Sequence, residues 1–230
     1  MSYRYHAIIP TGDGRNTLPE NPCQLLDFTL LRLEAGGTWS GESGDREILA
    51  VILGGKATFT VNGQVFSGVG EREDVFSGKP HSVYIPAGAT VSVQALTPLE
   101  VAMPSAPSDL AVDPYVIGPD KIESGRWGAY NFSRTYHRIL TEIAQPELPA
   151  RRLIVGETYT PSGNWSTYPP HRHTVDNLPA EAQHEEGYYY RVNPAGGFGV
   201  SIVYTDEGDQ EAVLVKDHWM QLMPAGYHTV

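Results

Sequence analysis

The stretch ILAVILGGKATFTVNGQVF (residues 48–66) holds two runs of β-branched and apolar residues, separated by the glycine pair Gly54-Gly55. The second run is interrupted by Asn62-Gly63, a dipeptide that favours the two-residue turn of a β-hairpin. Short strand patterns around turns recur in residues 81–96, 187–205 and 212–230. Helical periodicity is scarce, and residues 178–184 allow two helical turns at most. The sequence therefore predicts an all-β fold with little helix.

The composition agrees with many short strands and argues against one class of partner. The 230 residues include 24 Gly, 18 Pro and 13 Tyr but only 4 Met, and they suffice for one large β domain or two small ones. The formal net charge is −11 and no basic patch stands out, which disfavours binding to nucleic-acid phosphates. We expect no nucleic-acid partner.

The cysteine content and the N-terminus indicate the compartment. Cys23 is the single cysteine, so an intramolecular disulfide framework is ruled out, as suits a reducing cytoplasm. The N-terminus MSYRYHAIIP lacks the apolar segment of a signal peptide, and no apolar run approaches the roughly 20 residues of a membrane span. We expect a soluble cytoplasmic protein without a membrane partner.

Three landmarks recur in the same order in the two halves of the chain. They are Gly37-Thr-Trp-Ser40 with Gly163-Asn-Trp-Ser166, Glu47 with Glu186, and Tyr84-Ile-Pro-Ala-Gly88 with Leu222-Met-Pro-Ala-Gly226. Their separations are 126, 139 and 138 residues. The recurrence predicts a duplicated β module, with a first domain at 1–105, a linker at 106–149 and a second domain at 150–230. Trp39 and Trp165 belong to the repeated landmarks, so we expect packing roles for both.

The second copy contains a candidate metal site. His171 and His173 are two residues apart, so on a strand their side chains project from the same face. Glu186 opens a tyrosine-rich strand, and His228 follows the Pro-Ala-Gly turn. Three imidazoles and one carboxylate suit zinc, manganese, iron or nickel, and they leave coordination positions open for water or substrate.

The first copy provides an internal comparison. The positions that align there with His171, His173 and His228 are Asp45, Glu47 and Thr90. His81 precedes its Pro-Ala-Gly turn, where a ligand would be misplaced. Because the module occurs once without the histidines, packing does not require them. Their concentration in the second copy favours metal binding.

The set His171-x-His173, Glu186 and Pro224-Ala-Gly226-Tyr-His228 resembles the two motifs of the cupin superfamily. It departs from them in the twelve residues between His173 and Glu186 and in the single residue between Gly226 and His228. The stretches NWSTYPPHRHTVDNLPAEAQHEEGYYYRVNPAGGFG, VYTDEG and MPAGYHTV, with GEREDVFSGKPHSVYIPAG in the first copy, resemble the 5-deoxy-glucuronate isomerase family of myo-inositol catabolism. This resemblance covers essentially the whole chain.

The resemblance implies a bicupin, that is, two tandem jelly-roll-like β-barrels, of which the first lacks metal histidines. It implies one divalent metal held by His171, His173, Glu186 and His228, with Glu185 as the competing carboxylate. Zinc or manganese is the expected metal, and iron or nickel would also suit. A cupin barrel normally continues past the last of these histidines, so we expect the C-terminal barrel to be truncated at its last strand. A homo-oligomer is compatible with the resemblance.

The implied reaction is the aldose–ketose isomerisation of 5-deoxy-D-glucuronate, a small sugar acid, to 5-dehydro-2-deoxy-D-gluconate through an enediol. A base within hydrogen-bond reach would move the proton, although a direct hydride shift stays open. We predict Glu185, Tyr188 and Tyr190 as catalytic residues, with His184 and Glu157 as further candidates for the base. The substrate carboxylate calls for a cationic side chain. Arg172 and Arg191 are predicted for this role, and Arg152 is the alternative.

Two other functions use the same features. An Fe(II)-dependent cupin dioxygenase would have similar ligands but would consume oxygen. A non-enzymatic sugar-acid-binding cupin is the third reading. The complete ligand set and the lack of a helical DNA-binding module argue against it.

Overall fold

The computed structural model describes residues 6–230, which form strands, one 3₁₀ turn at Pro119–Lys121 and no α-helix. The first half contains β1 (His6–Ile8), β2 (Gly14–Thr17), β3 (Asp27–Leu33), β4 (Thr38–Glu42), β5 (Arg46–Gly54), β6 (Ala57–Val61), β7 (Gln64–Val69), β8 (Ser82–Ile85), β9 (Thr90–Ala95) and β10 (Leu99–Pro107). The second half contains β11 (Tyr115–Ile117), β12 (Glu123–Ala129), β13 (Phe132–Leu140), β14 (Val155–Tyr159), β15 (Glu186–Tyr189), β16 (Gly199–Tyr204), β17 (Gln210–Val215), β18 (Trp219–Met223) and β19 (Tyr227–Thr229). The all-β prediction is confirmed.

The segment in which the sequence allowed two helical turns contains no helix. Residues 178–184 form a turn and extended chain, closed by an antiparallel pair between Asn177 and Glu181. Within residues 6–230, no helix has the length and apolar character that crossing a bilayer requires.

The first half contains two sheets. One has six strands in the order β11-β8-β5-β10-β3-β2, in which β11 comes from the second half. The other has four strands in the order β4-β9-β6-β7. The second half forms three-stranded sheets in the orders β1-β18-β15, β12-β13-β14 and β17-β16-β19. In the first half β10 lies between β5 and β3 and pairs with both. In the second half β15 and β14 occupy the places of β5 and β3, and no strand lies between them within the described residues.

The hairpin predicted at residues 48–66 is confirmed. β6 pairs with β7 across the turn, with Val61 opposite Gln64. Asn62 and Gly63 have φ angles of 49° and 82°, the left-handed conformation that a type I′ turn requires at both positions. The Gly54-Gly55 break takes the chain from the six-stranded sheet to the four-stranded one.

The second half repeats the strand-pairing pattern of the first. In the first half β5 pairs with β8, and β6 pairs with both β7 and β9. In the second half β15 pairs with β18, and β16 pairs with both β17 and β19. The glycines of the two Pro-Ala-Gly turns, Gly88 and Gly226, both have positive φ angles.

The registers correct the alignment of the glutamates. Ile48 lies opposite Ile85, and Glu186 lies opposite Met223 at the matching position before the Pro-Ala-Gly turn. Ile48 is therefore the counterpart of Glu186, and Glu47 corresponds to Glu185. The sequence alignment was displaced by one residue because a glutamate pair offers two matches.

The registers also correct the partner of the first histidine. His171 forms an antiparallel pair with His228 in the way that Glu42 pairs with Thr90. Glu42, rather than Asp45, is thus the counterpart of His171. The chain between the landmarks differs in length in the two copies, so a constant offset could not find this match.

Each half also contributes one strand to a sheet of the other half. β1 precedes the first copy but pairs with β18, and β11 precedes the second copy but pairs with β8. The segment 106–149, where the sequence predicts a linker, therefore contains β11, β12 and β13. The segment is rich in proline, which is compatible with edge strands and strand ends, as at Pro107 in β10.

β5 explains how two cores share one sheet. Alternate residues of a strand face opposite sides, and both faces of β5 are buried. Ala50 and Ile52 face a core enclosed by the two sheets of the first half, together with Phe59. Leu49 faces a second core, which also includes Met220 and other residues of the second half. This second core joins the halves into one unit.

The shared core predicts a large loss of stability for Leu49→Ala. Leu49 is fully buried, so truncation should lower the free energy of unfolding by about 2–5 kcal/mol in urea denaturation. Leu96→Ala is the matched control, because Leu96 is 47 % exposed and should change stability by less than about 1 kcal/mol. Equal effects of the two substitutions would contradict the assignment of this core.

Candidate metal centre

The four predicted ligands lie together in the structure. His171, His173, Glu186 and His228 each offer one ligand atom, and these atoms lie within 4.8 Å of one another. Nε2 of His173 and Nε2 of His228 are each 2.9 Å from Oε2 of Glu186. Two backbone hydrogen bonds between His171 and His228 hold the chain entering the site against β19.

The surroundings set the charges of the centre. Burial alone would raise the pKa of the Glu186 carboxyl, but hydrogen bonds from His173 and His228 outweigh it and hold that pKa far below its usual range. Burial lowers the pKa of His171, and the adjacent His228 lowers it further. Burial also disfavours protonation of His173, but its hydrogen bond with Glu186 prevails and raises its pKa. The carboxylate is therefore charged, and His171 is neutral.

The orientation of two rings shows that the residues fit a bound cation. Nδ1 of His173 lies 2.5 Å from the carbonyl oxygen of His184, and Nδ1 of His228 lies 3.2 Å from that of Gly226. A carbonyl only accepts hydrogen bonds, so both Nδ1 atoms carry protons. Each Nε2 can therefore donate to Oε2 of Glu186 only from a ring that carries both protons, whereas in the neutral rings both Nε2 lone pairs point toward the carboxylate. This arrangement is repulsive unless a cation lies between them, and a divalent metal fits.

The predicted tyrosines lie beside the centre. Tyr188 and Tyr190 are on the same face of the strand as Glu186, and the ring of Tyr188 lies 6.2 Å from that of His228. Burial raises the pKa of both hydroxyls, and the charge of Glu186 raises them further. Both hydroxyls are therefore protonated near neutral pH and act as hydrogen-bond donors. The Tyr190 hydroxyl donates to Oε1 of Gln221 at 2.7 Å.

The other candidate bases are directed elsewhere. The Glu185 carboxylate accepts three backbone N–H bonds from residues 24–26. Glu157 forms an ion pair with Arg72 at 2.5 Å and accepts a bond from Tyr159. The His184 side chain is exposed, with its ring 6.0 Å from that of His173. Of these three residues, none contributes a ligand atom to the cluster of the centre.

The arginines predicted to bind substrate already have partners. Arg172 pairs with Glu181 and Asp206 at the surface. Arg191 pairs with Glu100 at 2.7 Å and with Asp217 at 3.0 Å. Arg152 donates to the carbonyl oxygen of Pro107.

Two residues that sequence reasoning missed lie near the centre with unused donors. Gln221 is fully buried opposite Tyr188, and its Nε2 lacks a hydrogen-bond partner within the described part of the chain. The buried Nε of Arg134 also lacks one there, while its Nη1 donates to Thr167. A glutamine inside the apolar run WMQLM was a usable signal for the first. The sequence around Arg134 gave none.

A cavity of about 800 Å³ lies along the facing edges of β14 and β15. Its lining includes Tyr188, Tyr190, Trp165 and Phe198. None of the four ligand candidates lines it, so the cavity is not assigned to the centre.

The fold and the site together define a two-barrel cupin with one candidate metal centre. Solved structures agree. An oxalate decarboxylase of Bacillus subtilis aligns with the whole chain at a TM-score of 0.64 and 13 % identity, covering 74 % of that chain. This likeness concerns the fold alone. The expected bicupin fold is therefore confirmed.

The chain belongs to the KduI/IolB family, whose model matches residues 13–230. An IolB-like protein of Salmonella typhimurium LT2 has a similar structure, with a TM-score of 0.91 and 29 % identity over 99 % of this chain and 87 % of that one. The 5-deoxy-glucuronate isomerase of Geobacillus thermodenitrificans is 40 % identical over 98 % of this chain and 82 % of its own length. The isomerase of the same name from Bacillus subtilis strain 168 is 37 % identical over 93 % and 79 %. The predicted family is confirmed.

The centre predicts that metal binding depends on His228. Elemental analysis of the purified protein should find about one divalent metal per chain. His228→Ala removes a candidate ligand that is 1 % exposed, and should weaken metal binding by roughly 100-fold or more while the fold persists. His81→Ala, in the copy without ligands, is the control and should retain the metal. Wild-type metal content in the His228 variant would contradict the centre.

Proposed function

We propose that the protein is an aldose–ketose isomerase that converts 5-deoxy-D-glucuronate to 5-dehydro-2-deoxy-D-gluconate. The observation that carries this proposal is the set of three imidazoles and one carboxylate whose ligand atoms lie within 4.8 Å of one another, with Tyr188 beside them. Its support is the sequence identity of about 40 % with proteins named 5-deoxy-glucuronate isomerase.

His171, His173, Glu186 and His228 would hold one divalent metal, zinc or manganese in the first instance, with iron or nickel as alternatives. The bound metal supplies stabilisation for the negative charge that develops on the two substrate oxygens during enolisation. The residues of the chain do the remaining work of binding, orienting and protecting the substrate from water.

Tyr188 and Tyr190 are proposed to bind substrate oxygens. Both side chains are directed to the centre, and their raised pKa values keep the hydroxyl protons in place. A hydroxyl that stays protonated donates a hydrogen bond to a substrate oxygen where charge develops. This assigns the tyrosines the role of hydrogen-bond donors. Glu185 is not proposed as the base, because its carboxylate already accepts three backbone N–H bonds.

Arg134 is proposed to bind the substrate carboxylate in place of Arg172 and Arg191. Burial lowers the pKa of His171, and the Arg134 charge contributes to the same effect, which places the guanidinium within electrostatic reach of the centre. Its Nε is buried without a partner in the described residues, so an incoming carboxylate would satisfy it. The free Nε2 of Gln221 would donate to a substrate hydroxyl in the same way.

The proposal also concerns the setting of the enzyme. We propose a cytoplasmic location, supported by the single cysteine and by a small acidic substrate. Nucleic acid and membrane are not proposed as partners. A homo-oligomer is compatible with the fold.

Turnover is tested by incubating the metal-loaded protein with 5-deoxy-glucuronate and following the ketose by NMR. Conversion without oxygen consumption is expected. Oxygen uptake with redox-active iron would favour a dioxygenase, and substrate binding without conversion would favour a sugar-acid-binding protein. Either result would overturn the proposed isomerase.

Arg134→Gln tests the carboxylate site. Loss of a charged hydrogen bond, about 1.5–3 kcal/mol, should raise KM by roughly 10–100-fold and change kcat less. Arg126→Gln on the neighbouring strand is the matched control, since Arg126 bonds to Ser133. An unchanged KM in the Arg134 variant would remove Arg134 from the site.

A further inference from the structure

Glu185 forms a compact set of bonds with the first half of the protein. Its Oε1 accepts the N–H of Gln24 at 2.7 Å, and its Oε2 accepts those of Leu25 at 2.7 Å and Leu26 at 2.8 Å. Three N–H donors on one charged carboxylate make charge-assisted hydrogen bonds, which are stronger than neutral ones. We call this contact the Glu185 bridge.

The Glu185 bridge is directly connected to the metal centre through the backbone. Glu185 immediately precedes β15, and Glu186 is its first residue. Adjacent side chains of an extended chain point to opposite faces, so Glu186 faces the histidines while Glu185 faces residues 24–26. The packing is close as well, since a Cβ on Gly187 would lie only 3.2 Å from Cδ2 of Leu26.

The segment held by Glu185 is also fixed on its other side. A side-chain nitrogen of Arg46 donates to the carbonyl oxygen of Leu25, and the same guanidinium bonds to Ser105. Residues 24–26 are thus bound by a cation of their own copy and by a carboxylate of the other copy. These bonds restrict the movement of residues 24–26, to which the start of β15 is bound through Glu185.

The first half contains the same contact in the reverse direction. Glu47, the counterpart of Glu185, accepts the N–H groups of residues 151–153 at 2.6 to 2.9 Å. Residues 24–26 lead into β3, and residues 151–153 lead into β14, each being a strand of the copy to which the segment belongs. We call this second contact the Glu47 bridge. In each copy a glutamate therefore binds the backbone segment that leads into a strand of the other copy.

The two bridges differ in the residue that comes next along the chain. The residue after Glu47 is Ile48, which belongs to the strand β5, whereas the residue after Glu185 is the metal-ligand candidate Glu186. Only the Glu185 bridge can therefore influence the centre directly. The Glu47 bridge serves as an internal reference for a purely structural contact.

We propose that Glu185 is a positioning residue, whose three bonds to the amides of residues 24–26 hold Glu186 in the geometry that binds the metal. This inference rests on the proposed metal centre. It assigns the first half of the protein a part in metal affinity, and it gives Glu185 a role distinct from that of a base.

Cys23 provides a measure of the bridge that is independent of activity. It is the only cysteine, and it adjoins the residues that Glu185 binds. Burial raises the pKa of its thiol to about 12, and the charge of Glu185 contributes to that rise. Loss of the bridge should therefore make the thiol more reactive toward a disulfide reagent.

The test compares Glu185→Gln with Glu47→Gln and with Glu207→Gln, which removes a charge from an exposed turn. Affinity for Zn²⁺ and Mn²⁺ is measured by calorimetry, Cys23 reactivity by thiol titration, and turnover at limiting and saturating metal. Glu185→Gln should weaken metal binding by roughly 10–100-fold, the usual effect of losing a residue that orients a ligand. It should also speed Cys23 modification by roughly threefold or more. Saturating metal should restore most of the turnover.

Glu47→Gln should lower thermal stability but leave metal affinity within about twofold, and Glu207→Gln should change neither. If Glu185→Gln keeps its metal and loses turnover at saturating metal, Glu185 is a base and the inference is wrong. An equal loss of metal affinity in the Glu47 variant would mean that both bridges act only through the overall stability of the protein. That result would also overturn the inference. If the wild-type protein binds neither metal, the proposed function fails, and that result is recognised before any variant is compared.

Discussion

The antiparallel register between β15 and β18 is the constraint on which the site depends. It places Glu186 opposite Met223 and Tyr188 opposite Gln221, so that carboxylate, phenol and amide face one interior. Strand side chains alternate, and a slip of one residue would exchange the two faces. Glu185 would then point to the histidines, and Glu186 to the first half of the protein. The backbone hydrogen bonds between β15 and β18 thus determine which side chains face the site.

Local patterns were sufficient to predict much of this molecule. The Asn62-Gly63 turn follows from the φ angles that the dipeptide tolerates, and the repeated Pro-Ala-Gly turns revealed the duplication. The four ligand candidates were found because the His-x-His spacing indicated a chelating pair and the copy without histidines supplied a contrast. Each of these signals is a motif of only a few residues, so a single sequence carries it.

Long-range relations were not predictable in this way. Glu185 and the amide of Leu25 are 160 residues apart, and no local pattern relates them. The pairing of β1 with β18 and of β11 with β8 likewise depends on the assembled halves, which is why the sequence predicts only a linker at residues 106–149. Arg134 stands out only when burial and hydrogen bonding are known, because no sequence pattern marks it.

The exchange of edge strands also determines the order in which the chain can fold. His6 lies opposite Gln221, so β1 pairs with a strand 215 residues further along the chain. The first half can complete its six-stranded sheet once β11 has formed, but β1 has no partner until β18 has been made. Contacts this distant in sequence slow folding and leave a strand edge exposed meanwhile. The two repeated modules are therefore linked during folding as well as in the final structure.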